Sequence, residues 1–200
     1  VYTNFGYVDK TPIFDNVIDD YTSTKTKDPQ NEKFIHLEGG LNFWALNNQL
    51  NLKLNGYHTD WKDKPKTQIV YSQDGSDDII FFKGMDVRHQ GIEFEGAYRP
   101  VKQLQIGAAA SFGNWTYLND VTGSYRSYKE GAFETEEYKF YVKDLKVGDS
   151  PQTQFAFIAS VFPVEDMMLQ GVYKYYTNYY SSWDPFSRTD ESDKKESWKA

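Results

Sequence analysis

Ile35-His36-Leu37-Glu38-Gly39-Gly40-Leu41-Asn42-Phe43-Trp44-Ala45 swaps apolar and polar residues at almost every step, and Leu50-Asn51-Leu52-Lys53-Leu54-Asn55-Gly56-Tyr57 does so again after the turn Leu46-Asn47-Asn48-Gln49. In the first stretch one face reads Ile35, Leu37, Gly39, Leu41, Phe43 and Ala45, the other His36, Glu38, Gly40, Asn42 and Trp44. A period of two is the mark of a β-strand with one face in an apolar medium and the other in water. Strands of about 9–11 residues are also long enough to cross a bilayer when tilted. The apolar face therefore meets either a protein core or lipid.

The pattern recurs along the chain. Gly91–Tyr98 sets Ile92, Phe94, Gly96 and Tyr98 against Gly91, Glu93, Glu95 and Ala97. Further strands are expected over Val1–Val8, Ile79–Gly84, Leu104–Leu118, Tyr138–Val147, Gln152–Phe162 and Met167–Tyr180. The strand from Leu50 is expected to run through Trp61, with Thr67–Tyr71 as a further extended piece. No sustained i, i+3, i+4, i+7 stripe competes for a helix. Connections at 46–49, 99–103 and 163–166 are short, whereas those at 9–32, 71–78, 119–133 and 181–200 are long and polar. Short and long connections alternate, which is the asymmetry of an outer-membrane barrel.

Composition agrees with a surface that touches two phases. Of 200 residues 39% are hydrophobic, but 18% are aromatic, with 16 Tyr, 14 Phe and 5 Trp. Mean hydropathy is −0.72, and no apolar run approaches the length of a transmembrane helix. A barrel tolerates such an average because half of every strand is polar. Cysteine is absent, which excludes a disulfide framework, thiolate metal sites and a cysteine nucleophile. The net charge of −7 argues against nucleic acid, which needs a basic stripe. Both ends read as interrupted, so a piece of a longer protein is expected.

Particular segments resemble a known family. Gly6-Tyr7-Val8-Asp9-Lys10-Thr11-Pro12-Ile13-Phe14-Asp15-Asn16-Val17 resembles the G-Y-x-x-x-x-P-x-F-D-N-V stretch of TonB-dependent outer-membrane receptors of the Bacteroidota type. Asn31-Glu32-Lys33 through Gly40 is similar to their N-E-K-x-x-x-x-E-x-G strand, and Tyr57-His58-Thr59-Asp60-Trp61-Lys62-Asp63 to the Y-x-T-x-W-K-D segment. Gly91-Ile92-Glu93-Phe94-Glu95 resembles G-x-E-x-E, and Gly113-Asn114-Trp115-Thr116-Tyr117 the strand after it. The last match is Tyr175-Tyr176-Thr177-Asn178-Tyr179-Tyr180 with Trp183-Asp184-Pro185. The resemblance implies a barrel of about 22 strands around an N-terminal plug. It makes residues 1–200 a partial barrel domain of about eight strands, with the plug, the TonB-contacting segment and the final strands outside this chain.

The implied function is uptake of a scarce nutrient (siderophore, cobalamin, oligosaccharide or peptide) across the outer membrane of a Gram-negative bacterium, driven through TonB. The implied partners are outer-membrane lipid and lipopolysaccharide, the receptor's own plug and TonB, the nutrient and, optionally, a surface lipoprotein; nucleic acid is not among them. Leu50, Leu52, Leu54, Phe155, Phe157 and Val161 would face lipid, and Asn51, Lys53, Asn55, Gln154 and Ser160 the lumen or plug. Two alternatives stand beside it: a small eight-stranded outer-membrane barrel with a structural or adhesive role, and a soluble carbohydrate-binding β-sandwich, whose apolar faces would pack on each other.

Candidate sites are few. Trp115, Tyr117, Tyr125 and Tyr128 cluster around the expected loop 119–133 and offer rings for stacking on a ligand; Trp115 and Tyr117 equally suit the aromatic girdle of a membrane barrel, the favoured reading for that pair. Tyr173, Tyr175, Tyr176, Tyr179 and Tyr180 read as girdle too. Glu93 and Glu95 share a strand face, whereas a glycosidase places its two carboxyls across the sugar from each other, so a hydrated wall is expected. His36, His58 and His89 lie apart, with no metal-binding spacing. Asp74–Asp78 lacks the spacing of a calcium-binding loop. No catalytic residue, metal or cofactor is expected, and the chain is not read as an enzyme.

Overall fold

The computed structural model describes residues 1–12, 17–19, 24–25, 29–71, 77–129, 132–193, 197 and 199. The architecture is all-β: an antiparallel sheet of nine strands, with a separate two-stranded ladder. The strands are β1 (Tyr2–Lys10), β2 (Ile18–Asp19), β3 (Thr24–Lys25), β4 (Glu32–Ala45), β5 (Leu50–Tyr71), β6 (Asp77–Val101), β7 (Leu104–Tyr117), β8 (Val121–Lys129), β9 (Ala132–Phe140), β10 (Pro151–Val161) and β11 (Leu169–Tyr179). Seven of them form an up-and-down path, β1-β4-β5-β6-β7-β10-β11, while β8 and β9 branch from the far end of β6. Among the described residues β1 and β11 each pair with one strand only, so the sheet is open.

Register turns the sequence alternation into continuous rows. Leu41, Leu54, Phe94, Ala110, Phe155 and Tyr175 line up across six strands. Phe43, Leu52, Gly96, Ala108, Phe157 and Tyr173 form the row beside them. On the reverse face Asn42, Lys53, Glu95, Ala109, Ala156 and Lys174 are in register. The apolar face is uncovered: Leu54 is 46%, Phe157 49% and Tyr173 66% exposed. Among the described residues no second layer packs on it, so the arrangement expected of a sandwich is not present.

The long excursions of the chain gather at one end of the sheet. The connections after β4, β6 and β10 lie at the other end; at the long end lie residues 11–31 after β1, residues 118–150 between β7 and β10, and the extension of β5 and β6 beyond the meander. In the β4–β5 turn Leu46, Asn47 and Asn48 all have positive φ, an arrangement that the Asn pair tolerates best.

The long end departs from expectation. Residues 119–133, expected as a polar loop, form β8 and the start of β9. Ile80 and Phe82 of β6 pair with Tyr125 and Gly123 of β8, and Val121 and Phe140 are buried at the base of the hairpin while Thr122, Glu137 and Lys139 are exposed. The strand expected over Tyr138–Val147 ends at Phe140 and gives way to irregular chain. Ile79–Gly84 and Gly91–Tyr98 are one continuous strand, bent at Gly84 (φ 66°) opposite register shifts between Trp61 and Lys66. The buried core lies at this end: Ile80, Phe82, Met85, Val87, Tyr117, Val121, Phe140, Val142, Leu145 and Trp183. Trp183 anchors it, its ring 5.0 Å from Phe82 and 6.2 Å from Phe140. In the Asp74–Asp78 stretch, residues 74–76 lie outside the described residues.

Candidate functional site

The polar face carries a trough of about 500 Å³ lined by Tyr2, Lys53, Glu93, Glu95, Gln154 and Lys174, among others. Cross-strand pairing places charges of opposite sign together, the favourable arrangement on a sheet face. Lys53 Nζ donates to Glu95 at 3.1 Å, and Asn55 Nδ2 donates to Glu93 at 3.3 Å. The Tyr2 hydroxyl sits 3.0 Å from Asn55 Oδ1 and 3.3 Å from Glu38 Oε1. Glu93 and Glu95 thus belong to a hydrated, hydrogen-bonded wall.

Further toward the long connections the wall becomes aromatic. Trp115 Nε1 donates to the Tyr57 hydroxyl at 2.9 Å, and its ring meets the edge of His89 at 5.4 Å. Gln152 fixes the Trp115 backbone from the neighbouring strand: its carbonyl accepts the Trp115 N–H at 2.9 Å, and its amide donates to the Trp115 and Val147 carbonyls at 3.1 Å. Glycines make room for these rings. A Cβ at Gly91 would stand 2.7 Å from the Tyr57 hydroxyl, one at Gly113 2.8 Å from Trp115 Nε1, and one at Gly40 2.6 Å from the Tyr2 ring. One step beyond, buried Glu32 accepts from Lys10 at 2.8 Å and from Trp61 Nε1 at 3.1 Å. Lys64 lies over the Trp61 ring and Lys66 over Trp183, at 4.3 and 4.9 Å from the centroids. Burial pushes the pKa of both lysines below the ordinary value.

Trp115 and Tyr117 are therefore close together, but on the polar side of the sheet. The girdle expected for this pair is corrected: alternation along β7 puts Ala110 and Phe112 on the apolar face and Trp115 and Tyr117 on the other. Trp115 is half-buried in the wall and Tyr117 is part of the core. Tyr125 and Tyr128 lie in β8, in register with Glu136 and Phe133, and their side chains are outside the described residues. Tyr173 and Tyr175 are exposed on the apolar face, whereas Tyr176 lines the trough. His36 and His89 share a polar-face row with Thr59 between them, and His58 lies on the opposite face. Sequence reading misses Tyr57, Gln152 and the lysine–tryptophan pairs; the available signal is each glycine facing an aromatic across the sheet, which needs the register to be seen. Among the described residues no group of three or more His, Asp or Glu is placed to hold a metal ion.

Compared with protein-family models, curated proteins and solved structures, the chain matches none of them.

Proposed function

We propose that this chain is a section of the wall of an outer-membrane β-barrel, belonging to a TonB-dependent receptor that takes up a scarce nutrient. The observation that carries the reading is the uncovered apolar face, continuous across β4, β5, β6, β7, β10 and β11. From Leu104 to Phe112 that face runs about 26 Å along the strand, and a tilt near 40° brings the height to about 20 Å, close to the apolar band of such barrels. Water is a poor medium for so large an apolar surface, and lipid or another protein is a good one. Lipid is favoured because the long excursions of the chain gather at one end of the sheet and the reverse face is polar. The strands that would close the barrel, the plug and the segment that engages TonB lie outside this chain in this reading. The aromatic wall around Trp115 and the trough below it then face the lumen, where plug and ligand pass.

Single cysteines at Phe157 and Lys53 of the whole natural protein, with any cysteine outside these 200 residues replaced, serve as probes in native membranes. A fluorophore at position 157 is expected to be quenched by lipid-borne nitroxides and one at 53 by water-soluble quencher only. Aqueous quenching at both positions, or recovery of the protein in the soluble fraction, would remove the membrane reading. Nutrient uptake that survives loss of TonB would remove the receptor reading alone.

A further inference from the structure

β11 is an edge of the sheet, and it lacks most of the features that protect a free edge. It is 11 residues long, exposed over nearly its whole length, and contains no proline. Its register with β10 holds from Leu169 to Tyr179 without a shift, even across Asn178 with its φ of 52°. A single lysine, Lys174, is the only charged residue on it. A long, flat, largely apolar edge of this kind is a template for another strand.

The chain itself returns to this edge. The Ser197 hydroxyl accepts the Lys146 N–H, and two residues on Lys199 forms an antiparallel bridge with Tyr180. The Tyr180 carbonyl accepts the Asp149 N–H at 2.9 Å on the side of β10, so Lys199 occupies the free side. The bridge sets a register for whatever follows. Lys174 stands six residues before Tyr180 and so falls opposite the sixth residue after Lys199. Tyr175 and Tyr173 fall opposite the fifth and the seventh.

Charge gives that register a second mark. Lys174 lies on the polar face in one row with Ala156, Ala109, Glu95 and Lys53. At the far end of the row Lys53 has Glu95 directly opposite, at 3.1 Å. Lys174 is three strands from Glu95, about 14 Å at ordinary strand spacing, with only alanines between. Among the described residues no carboxylate forms an ion pair with it. A carboxylate directly across the free edge would complete the row as Glu95 does for Lys53.

We infer that the free edge of β11 receives one further antiparallel strand, formed by the chain that follows Lys199 in the natural protein, with an acidic residue opposite Lys174 and apolar residues opposite Tyr173 and Tyr175. Alternation along β11 puts Lys174 on the polar face and the two tyrosines on the apolar one, so the incoming strand extends both faces. The inference rests on the edge and its bridge, and it holds whether the apolar face meets lipid or protein.

The test uses the whole natural protein with any cysteine elsewhere replaced. Lys174→Cys is combined in turn with a cysteine at the fourth, sixth or eighth residue after Lys199. Disulfide formation within one chain is followed by gel mobility under mild oxidation. The sixth position is expected to cross-link several-fold faster than the other two. Lys174→Glu is expected to lower the unfolding midpoint, and reversing the charge of the sixth residue to restore it. If Lys174→Glu does not fold, the cross-linking series decides by itself. A fastest cross-link at the fourth or eighth position, or a sixth residue that is not acidic, would overturn the register. Lys174→Cys chains that cross-link only to each other would put a second copy on the edge and overturn the inference. Soluble protein that still cross-links at the sixth position would remove the membrane reading and leave this pairing standing.

Discussion

Trp115 donates its indole N–H to the Tyr57 hydroxyl at 2.9 Å, so that two rings 58 positions apart in sequence meet above Gly91 and Gly113. The contact spans β5 and β7 across the intervening β6, which contributes only a glycine at the row they cross. Removing the acceptor in Tyr57→Phe leaves a half-buried indole N–H without its partner, an expected loss of about 1–3 kcal/mol. Gly91→Ala acts on the same contact from beneath. Its Cβ would meet the Tyr57 hydroxyl at 2.7 Å and, more seriously, the Phe112 carbonyl at 2.6 Å. An expected cost of about 1–3 kcal/mol follows from overpacking against backbone. Equilibrium unfolding of the two variants, followed by tryptophan fluorescence, checks both values; two unchanged midpoints would show that the rings are not coupled.

The two faces of β10 give the sharpest comparison between environments. Phe157 lies on the exposed apolar face and Gln154 lines the trough. In the proposed membrane setting Phe157→Lys costs about 2–4 kcal/mol if it lies near the bilayer midplane, while Gln154→Lys stays within a few tenths of zero. Folding into lipid vesicles, measured for both variants against wild type, reads the difference directly. Equal effects at the two positions would mean that the faces meet the same medium.

How much of this is legible in sequence depends on what fixes each residue. The strands with strict alternation, β4, β5 through Trp61 and the stretch around Phe94, are legible because one face is apolar over its whole length. The hairpin β8–β9 is not, because Thr122, Ser124 and Arg126 look like loop residues when read alone. The core around Trp183 is invisible for a related reason. Its members come from separate segments, and none of them carries a long apolar run. Trp115 and Tyr117 stand out as aromatic candidates, but their side of the sheet follows from counting residues along β7, and the pull of the girdle pattern outweighs that count.

Lys66 sits over the Trp183 ring at 4.9 Å, with burial, and then the charge of Lys64, holding its pKa below the ordinary lysine value of 10.5. A lysine with a lowered folded-state pKa binds its proton more weakly in the native state than in the unfolded state. Its penalty on folding is full below the folded pKa and is relieved as pH rises from there toward the unfolded value. Wild-type stability is therefore expected to climb across the alkaline range as pH rises toward 10.5, and Lys66→Met to flatten that climb and raise stability at neutral pH. The variant also forgoes the cation–π attraction to Trp183, and that opposing effect is about 0.5–1 kcal/mol. Midpoints of thermal unfolding across this range check it; a steeper climb in Lys66→Met would reverse the assigned sign.

Gly148 is where the chain after β9 touches the segment that carries Trp183. A Cβ there would run into the Ser182 backbone nitrogen and stand 2.5 Å from the Ser181 carbonyl carbon. Both are backbone atoms, so no side-chain rotation relieves the clash. The Asp149 N–H, one residue on, donates to the Tyr180 carbonyl at 2.9 Å and holds the two segments at this spacing. Gly148→Ala is expected to push residues 181–183 outward and partly withdraw the indole from Phe82 and Phe140, at a cost of about 1–3 kcal/mol. The β4–β7 meander does not pass through this contact, so the damage should be local. Hydrogen exchange is the discriminating measurement: faster exchange at Tyr141, Leu145 and Val147, with the Leu41–Leu54–Phe94 rows unchanged, is the expected pattern. Protection that falls evenly over the whole sheet would instead mean that the terminal core and the meander unfold as one unit.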